Sequence, residues 1–423
     1  MRTLALLCLL PVLWACSSDS KPLQVPPANP NSVAGEGLGW LSRVAIDGVM
    51  RASVASGSRS GYVAVFARDG QQVYANTAGW ADIEQQRPMQ LDTRMRFASM
   101  TKPMTAVAAM ILVERGLIGL DEPVATYIPA FAVSRVARHQ SADGEHDFAS
   151  EPLATELKIR HLLMFAAGIG PGREPEPTDL WRYWQNNAPR QHPGGSLAAG
   201  IDNIAGLPLF EQPGVRWRYG WSADVMARVV EVASGMRFDD FLSANLWLPL
   251  GMENTRFRFA DKAPEELATV YTQAENGDLV AVPTPDSDTP WPEGGSGTVS
   301  TAEDYLRFAL MLYNEGEYQG VRILEQETVR EMRQLHLPSG VLASEGLEGI
   351  GWGLGMAVVA DADATPFGDR DGDFWWSGYF GTTFFVSPST GLVGVVLSQN
   401  EPGPHSDLPI ALYAIQGLAF MGL

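Results

Sequence analysis

A serine and a lysine stand three residues apart at the start of a predicted helix. The run is Phe97-Ala98-Ser99-Met100-Thr101-Lys102-Pro103, and the apolar segment 104–116 follows it directly. A serine at a helix start lies at the positive end of the helix dipole, which stabilises a developing oxyanion, and a lysine three residues later shares its face. Because burial disfavours a charged ammonium, a lysine held there can accept a proton. The spacing predicts a nucleophilic Ser99 with Lys102 as its proton-handling partner.

The same spacing occurs elsewhere in the chain, so spacing alone does not define a site. Ser18-Asp19-Ser20-Lys21 also matches it, within a stretch from 17 to about 35 that is rich in Ser, Pro, Asn and Gly and has no periodicity. Such a stretch is typical of a tether, which does not hold two side chains in a fixed geometry. For Ser99 the alternative is a helix-capping serine beside a surface lysine.

A second motif contains Tyr219 and lies ahead of a predicted helix. The motif is Pro213-Gly214-Val215-Arg216-Trp217-Arg218-Tyr219-Gly220-Trp221-Ser222, and the helix is predicted over 223–234 and ends at Gly235. A tyrosine is a weak base at neutral pH, so an ammonium such as Lys102 must stand beside it to favour its ionised form. The alternative is an aromatic side chain that only packs ahead of the helix.

A third motif lies near the end of the chain. Trp376-Ser377-Gly378-Tyr379-Phe380-Gly381-Thr382 falls within the aromatic, β-rich run 373–386, which a turn at 388–391 joins to a second strand over 392–398. The pattern predicts a hairpin. Gly378 would leave room for an acyl group against the backbone, and the alternative is a core strand whose glycine marks a bulge.

Other regular elements must position these motifs. Residues 40–52 carry apolar side chains at helical intervals and 61–67 form a strand-like run. Residues 301–312 form an amphipathic helix with Thr301 as its N-cap, and 407–423 form a last apolar helix. Between them, 139–217 is rich in Pro, Gly and Asn, which predicts helices joined by long loops.

In order along the chain, the three motifs resemble the catalytic motifs of class C β-lactamases, D-alanyl-D-alanine peptidases and family VIII carboxylesterases. Residues 94–127 are similar to the nucleophile helix of that superfamily and the turn after it. Ile159-Arg160-His161-Leu162-Leu163 with Gly168-Ile169 resembles its next landmark, although Met164-Phe165-Ala166-Ala167 replaces the usual polar residues. Trp221 replaces the asparagine that β-lactamases carry two places after the tyrosine.

The resemblance implies a mixed α/β (α+β) fold of the β-lactamase/transpeptidase type. An antiparallel sheet flanked by N- and C-terminal helices would comprise residues 36–118 and 294–423, with an all-helical domain inserted over 119–293. Together these form one β-lactamase-related domain over 36–423, and the site would lie in the cleft between the two parts.

The resemblance also implies roles for the site residues. Ser99 would be the acylated nucleophile, Lys102 and Tyr219 its proton-transfer partners, and the backbone amides of Ser99 and Tyr379 the oxyanion hole. Further substrate contacts would come from the edge strand and two cleft aromatics: Trp376, Ser377, Gly378, Tyr379, Trp221 and Phe380. No cofactor is expected. No metal is expected either, because the six histidines lack metal-ligand spacing.

The third motif bears on the substrate. It reads W-x-G, as family VIII esterases often do, where β-lactamases hold K-T-G, and no lysine follows Lys262. An ammonium that could meet a substrate carboxylate is therefore missing from this strand. A carboxylesterase acting on small or apolar acyl esters is the favoured prediction. A β-lactamase or D-alanyl-D-alanine carboxypeptidase, and a non-catalytic envelope-binding lipoprotein, remain as alternatives.

The net charge and the N-terminal segment limit which binding partners and which cellular location are expected. The formal net charge of −19 disfavours nucleic acid as a partner. The resemblance implies a small acyl substrate, and the oligomeric state is not predicted. Residues 1–15 have the form of a signal peptide, and Leu13-Trp14-Ala15-Cys16 resembles a lipoprotein box that would make Cys16 a lipidation site ahead of a tether over 16–35. The alternative is ordinary cleavage beside a chance cysteine. The prediction is an exported, periplasmic chain whose membrane contact is a lipid on Cys16.

Overall fold

The computed structural model of the chain describes residues 23–26, 29, 32–138, 148–172, 178–188, 195–258, 266–283, 290–337, 340, 342, 347–365, 368–402 and 408–423. The predicted signal peptide, Cys16 and Lys262 lie outside these residues.

The strands, in chain order, are β1 (Val33–Ala34), β2 (Gly61–Arg68), β3 (Gln71–Asp82), β4 (Arg87–Pro88), β5 (Met95–Arg96), β6 (Arg135–Ala137), β7 (Ser150–Pro152), β8 (Arg256–Phe257), β9 (Tyr271–Gln273), β10 (Leu279–Ala281), β11 (Thr298–Ser300), β12 (Glu317–Tyr318), β13 (Val321–Arg322), β14 (Ile350–Trp352), β15 (Ala357–Val359), β16 (Phe374–Gly378), β17 (Thr382–Ser387) and β18 (Leu392–Leu397). The α-helices are α1 (Trp40–Ala55), α2 (Thr101–Glu114), α3 (Ile159–Leu163), α4 (Asp179–Asn187), α5 (Leu197–Ala205), α6 (Ser222–Ser234), α7 (Phe238–Leu242), α8 (Ala302–Tyr313), α9 (Gln326–Met332) and α10 (Leu408–Met421).

A nine-stranded antiparallel sheet forms the centre of the described chain. Its order is β1-β3-β2-β18-β17-β16-β15-β14, with β4 paired to β3. Every position of β17 and β18 is buried, because helices cover both faces of the sheet. The strand predicted over 61–67 is confirmed as β2, and the α/β fold class is confirmed with it.

Neighbouring residues of β17 show which helices cover which face. Phe384 packs against Tyr305 of α8 with 5.2 Å between ring centroids, and Phe385 packs against Phe420 of α10 at 5.4 Å. Because side chains alternate along a strand, α8 and α10 lie on opposite faces of the sheet. Helix α1 packs beside α10, and the Tyr305 hydroxyl donates to the Met100 carbonyl at 2.8 Å. The start of α2 is therefore on the face of α8, and α1 is on the other face.

The prediction of one strand over 373–386 is wrong. The run divides into β16 and β17, joined by a tight turn in which the Gly381 amide donates to the Gly378 carbonyl at 3.1 Å. Gly381 has φ 76°, which a glycine adopts without steric cost. The continuous aromatic pattern concealed this turn. The second predicted strand is confirmed as β18, and Thr301 caps α8 by accepting from the Asp304 amide at 3.2 Å.

The segment 119–293 contains the helices α3 to α7, as expected of the inserted domain. It also contains the strand pairs β6 with β7 and β9 with β10, and β8 joins β5 and β11 in a three-stranded sheet. These strands have two or three residues each, too few to produce a recognisable alternating pattern. The description of the insertion as all-helical is corrected by these short strands.

The last part of the predicted tether lies on the sheet edge. The Gln24 carbonyl accepts from the Trp80 indole at 2.8 Å, the Asn29 side chain donates to the Thr77 hydroxyl at 3.1 Å, and β1 pairs with β3. The predicted tether over 16–35 is therefore not a free linker at its C-terminal end. Among the helices of the described residues, none combines the length and the apolar character that crossing a bilayer requires.

Candidate active site

Ser99 sits in a turn that the backbone holds from both sides. The 3-10 turn Ala98–Met100 leads directly into α2, and the Phe97 amide before it donates to the Thr298 carbonyl at 2.9 Å. The Thr101 hydroxyl donates to the Ala98 carbonyl at 2.8 Å. Ala98 has φ 45°, a left-handed conformation that costs free energy for a residue with a Cβ. These bonds hold the strained turn and leave the Ser99 side chain partly exposed.

Lys102 lies one turn below Ser99 and is almost fully buried. Its ammonium donates to Ser99 Oγ at 3.0 Å and to the Gly295 carbonyl at 2.7 Å, and only 5% of the residue is exposed. Gly295 belongs to the glycine-rich segment ahead of β11. The lysine therefore bridges the serine and this segment.

A buried carboxyl group stands behind Lys102. Asp224 in the first turn of α6 accepts from the Gly295 amide at 3.0 Å. A Cβ on Gly295 would lie 2.7 Å from Asp224 Oδ2, so this contact requires a glycine. Burial raises the pKa of Asp224, and the positive charge of Lys102 opposes that rise. Asp224 was not predicted from the sequence, because Arg228 and Glu231 follow it at helical intervals and place it on the polar side of the helix pattern, whereas the folded chain buries it.

Tyr219 completes the cluster from the far side of the cleft. Its hydroxyl is 2.5 Å from Ser99 Oγ, and the Lys102 ammonium lies 4.7 Å from the centroid of its ring. The structure thus brings together a hydroxyl, an amine and a phenol that the sequence separates by up to 120 positions. The amine and the phenol both lie within hydrogen-bond distance of the serine oxygen, which is the arrangement that proton transfer from a nucleophile requires.

Aromatic rings hold the Tyr219 side chain. Phe165 stacks on it with 6.0 Å between centroids and 17° between planes, and Trp217 and Trp376 each lie at 5.9 Å. Phe165 has φ 53°, and its carbonyl accepts from the Arg218 amide at 2.7 Å. Phe165 is one of the residues by which the chain departs from the family's usual polar landmark, and it supports the tyrosine directly.

A buried ion pair fixes the backbone beside Tyr219. The Arg218 guanidinium donates to Glu211 Oε2 at 2.6 Å and to the Pro171 carbonyl at 2.9 Å. Only 3% of the Arg218 side chain and 15% of the Glu211 side chain are exposed. This pair was not predicted, because nothing in the local sequence distinguishes Arg218 from the exposed Arg216.

Strand β16 lies against the turn that carries Ser99. A Cβ on Gly378 would be 2.3 Å from both the Phe97 carbonyl and Thr382 Oγ1. The expectation that this glycine leaves room for an acyl group is corrected: the protein's own backbone fills the space. Tyr379 follows Gly378 directly, and Ser99 comes two residues after Phe97. The contact between Gly378 and Phe97 therefore joins the two backbone segments that carry the Tyr379 and Ser99 amides.

Of the other residues predicted to line the cleft, four are at least partly exposed or contact Tyr219, and Phe380 does neither. The Trp376 ring contacts Tyr219, and Ser377 and Trp221 are partly exposed. Tyr379 is 51% exposed. Phe380 is buried and packs with Ala98 and Val270, so it supports the serine turn from behind and does not line the cleft.

Across the residues the structure describes, no group of three or more His, Cys, Asp or Glu side chains could hold a metal ion. His161 accepts from the Lys158 amide at 3.2 Å, and the His336 ring bonds the Glu331 carbonyl at 2.9 Å. Each of these two histidine rings therefore makes a hydrogen bond with a backbone group.

Comparisons with known proteins agree with this fold. The Beta-lactamase family model matches residues 46–419. The chain is 33% identical to Protein Rv1367c of Mycobacterium tuberculosis (strain ATCC 25618 / H37Rv), covering 86% of the chain and 92% of that protein. It is 32% identical to Esterase EstB of Burkholderia gladioli, covering 83% of the chain and 89% of that protein.

Among solved structures, the fold matches EstCE1, described as a hydrolase with promiscuous acyltransferase activity. The TM-score is 0.75 at 26% identity, covering 90% of this chain and 99% of EstCE1. With a family match over most of its length and relatives above 30% identity, the chain belongs to the Beta-lactamase family, in the superfamily of serine β-lactamases and penicillin-binding proteins.

Proposed function

We propose that the chain is a serine hydrolase that forms an acyl-enzyme on Ser99 and acts as a carboxylesterase on small or apolar acyl esters. The observation that carries the proposal is the position of Ser99 Oγ, within hydrogen-bond distance of both Tyr219 Oη and Lys102 Nζ. A nucleophile needs a base in contact and a group that orients the base, and this cluster supplies both.

In the acylation step, Ser99 Oγ attacks the carbonyl carbon of the ester. The serine proton passes into the Lys102 and Tyr219 pair, which returns it to the oxygen of the leaving alcohol when the tetrahedral intermediate collapses. The amides of Ser99 and Tyr379 are the proposed donors to the oxyanion. In deacylation a water gives its proton to the same pair and attacks the acyl carbon. The bond between that carbon and Ser99 Oγ then breaks, the pair returns the proton to Ser99, and the acid is released.

The preference for uncharged esters rests on the surroundings of Tyr219. Phe165, Trp217 and Trp376 contact its ring, and Arg218 beside it is occupied by Glu211. Strand β16 offers serine and aromatic side chains where a K-T-G motif would offer an ammonium. In the part of the cleft that the structure describes beside Tyr219, a substrate carboxylate would therefore lose its hydration without gaining a counter-ion from β16 or from Arg218.

The test compares three substrate classes on one preparation. Short p-nitrophenyl esters should be turned over with a higher kcat/KM than nitrocefin or a D-alanyl-D-alanine peptide. Faster relative turnover of the lactam or the peptide would favour the β-lactamase or carboxypeptidase alternative.

Acyl transfer to an alcohol is a second candidate activity. The similarity to EstCE1, whose description includes acyltransferase activity, supports it, and so do the apolar rings beside Tyr219, which disfavour water relative to an organic alcohol. Adding a short alcohol to the p-nitrophenyl ester assay should then divert product from the acid to the new ester.

The non-catalytic alternative is separated from both activities by labelling. A fluorophosphonate probe should modify the wild-type chain and leave Ser99→Ala unlabelled. An unlabelled wild-type chain that unfolds cooperatively would favour a binding protein.

We also propose export and lipidation at Cys16, on the apolar run and the lipoprotein-like box of the N-terminal segment. Metabolic labelling with an alkyne fatty acid should mark the wild-type chain, and Cys16→Ala should abolish the label.

A further inference from the structure

Exposed apolar side chains gather where α1 begins and α10 ends. Trp40 is 65% exposed, Leu41 73%, Val44 49% and Met421 47%. We call these four residues the outer patch. Single exposed apolar residues are ordinary on a protein surface, whereas several together mark a surface that contacts something apolar.

The backbone shows that the outer patch is continuous. The Gly39 amide, one residue before Trp40, donates to the Gly422 carbonyl at 2.8 Å, one residue after Met421. A Cβ on Gly422 would lie 2.7 Å from the Leu38 side chain and 2.8 Å from that of Ser42. The first turn of α1 and the last turn of α10 are therefore in direct contact.

The outer face of α1 lacks the polar character of an ordinary surface helix. Its exposed positions after the first residue are Leu41, Val44, Gly48, Arg51 and Ala55, so one charged residue occurs and it is a cation. The inner face is formed by Ser42, Ile46, Met50, Ser53 and Val54. A peripheral helix usually carries charged and polar residues on the side opposite its buried stripe.

The acidic residue of α1 is directed away from this face. Asp47 Oδ1 accepts from the Tyr74 hydroxyl and from the Asn76 side-chain amide, each at 2.7 Å, and both donors lie on β3. The whole chain has a net charge of −19, but the exposed face of α1 carries no acidic residue.

We propose that the outer patch docks on a lipid bilayer surface, with α1 lying along the membrane. A tryptophan beside aliphatic side chains, with an arginine further along the same face, is the composition of helices that rest at the boundary between headgroups and acyl chains. Arg51 would contact lipid phosphates. The chain would contact the membrane without spanning it.

The proposed lipid on Cys16 would keep this surface near the membrane. Seven residues lead from Cys16 to Leu23, where the described chain begins, and they extend by at most about 25 Å. The carbonyl of the next residue, Gln24, accepts a hydrogen bond from the Trp80 indole. The backbone amide of Trp80 donates to the carbonyl of Ser60, which lies five residues beyond the end of α1. A lipid on Cys16 would therefore reach the bilayer on which α1 lies.

The location of the patch is compatible with catalysis. Helices α1 and α10 cover one face of the central sheet, and the start of α2 with Ser99 lies on the other face. Docking through the outer patch would therefore leave the cleft open to the solvent.

The test measures membrane binding without the lipid. The Cys16→Ala chain is mixed with vesicles of phosphatidylethanolamine and phosphatidylglycerol, and the bound fraction is measured by flotation. Adding Leu41→Asp and Val44→Asp should lower the partition coefficient at least about tenfold, because two apolar contacts become charged ones. The matched control carries Leu248→Asp and Val133→Asp, which change side chains that are 65% and 79% exposed elsewhere, and it should bind as the Cys16→Ala chain does.

If the double variant shows no cooperative unfolding and is therefore not folded, Trp40→Ala replaces it. This variant should also lower the partition coefficient. Equal binding by patch and control variants, or no binding by the Cys16→Ala chain, would overturn the proposal. So would a concentration-dependent dimer in sedimentation that the patch variants dissociate, because a second copy would then be the occupant. Ester turnover does not enter this readout, so a failure of the proposed esterase activity would leave it interpretable.

Discussion

The two sides of the candidate site are held in place by different kinds of interaction. Ser99 and Lys102 are positioned by backbone and hydroxyl hydrogen bonds between the start of α2 and β11, within the sheet body. Tyr219 is positioned by ring stacking on Phe165 and by the buried pair of Arg218 with Glu211, within the insertion. The serine side therefore depends on the contact between α2 and β11 in the sheet body, whereas the tyrosine side depends on the folding of the insertion.

This difference predicts that substitutions on the two sides of the site have different effects on activity and on stability. A substitution near Ser99 changes the chemistry and leaves the insertion folded, because few contacts depend on the serine side chain. A substitution under Tyr219 alters both the local free energy of unfolding and the distance between Tyr219 Oη and Ser99 Oγ. Variants that remove only a reactive atom can be compared with variants that remove only a support.

The largest expected effect belongs to Ser99→Ala. It should lower kcat/KM for p-nitrophenyl esters by about 10⁴-fold or more, because the covalent step is lost. The melting temperature should stay close to that of the wild type. Ser18→Ala, which alters the other S-x-x-K match in the chain, should retain full activity. Loss of activity in Ser18→Ala, or retention in Ser99→Ala, would contradict the assignment of the nucleophile.

Tyr219→Phe should lower kcat by about 10²- to 10⁴-fold, the contribution of a positioned acid or base. The ring and its stacking on Phe165 remain, so the free energy of unfolding should change little. Tyr318→Phe, at a partly exposed tyrosine whose hydroxyl accepts from Gln319, is the control. A Tyr219→Phe variant with wild-type kcat would show that Lys102 alone handles the proton.

Arg218→Gln should weaken the support of Tyr219 while every reactive atom remains in the chain. Removing one partner of a buried ion pair leaves an uncompensated charge on Glu211 and costs about 3–5 kcal/mol in the free energy of unfolding. Arg216→Gln is the matched control, since Arg216 lies 4.0 Å from the same Glu211 and 51% of its side chain is exposed. Its loss should cost no more than about 1 kcal/mol. Urea unfolding of both variants measures the contrast, and equal costs would show that the pair does not hold the tyrosine loop.

The residues proposed to react were predictable from the sequence to a greater extent than the residues that support them. The spacing of Ser99 and Lys102 lies within one helical turn, so a local pattern made them candidates. The apolar helix after them and the family resemblance separated them from Ser18 and Lys21. Tyr219 was found only because its motif resembles that of a family. Asp224 and Gly295 were missed because their contact joins residues 71 positions apart, and no local pattern encodes it.

The errors have the same physical origin. Gly378 was expected to make room for substrate, and instead it admits the Phe97 carbonyl, a contact that exists only in the folded chain. The division of 373–386 into β16 and β17 depended on the single turn at Gly381 within an unbroken aromatic run. Long elements with strong periodicity, such as α1, α2, α8 and β18, were predicted well because burial of one face or all faces determines their composition.

The smallest expected effect concerns the sheet body, where the residue before β16 is a buried carboxyl group. Asp373 is 2% exposed, and burial, with a smaller contribution from the charge of Asp369, raises its pKa to about 7. The unfolded chain loses this proton near pH 4, whereas the folded protein keeps it up to about pH 7. The free energy of unfolding should therefore fall as the pH rises from about 4 to about 7 and should change no further from this group above that range.

Asp373→Asn should remove that fall, because an amide does not titrate and its oxygen can still accept from the Arg370 amide, as Asp373 Oδ2 does at 2.9 Å. The variant should be more stable than the wild type at pH 8 by on the order of 4 kcal/mol and should match it at pH 4. Asp371→Asn removes a charge from an exposed position of the same turn and controls for the change in net charge. Urea unfolding across this pH range makes the measurement. A wild-type profile that rises between pH 4 and 7 relative to Asp373→Asn would mean that Asp373 is charged in the folded sheet body and stabilised there by a partner.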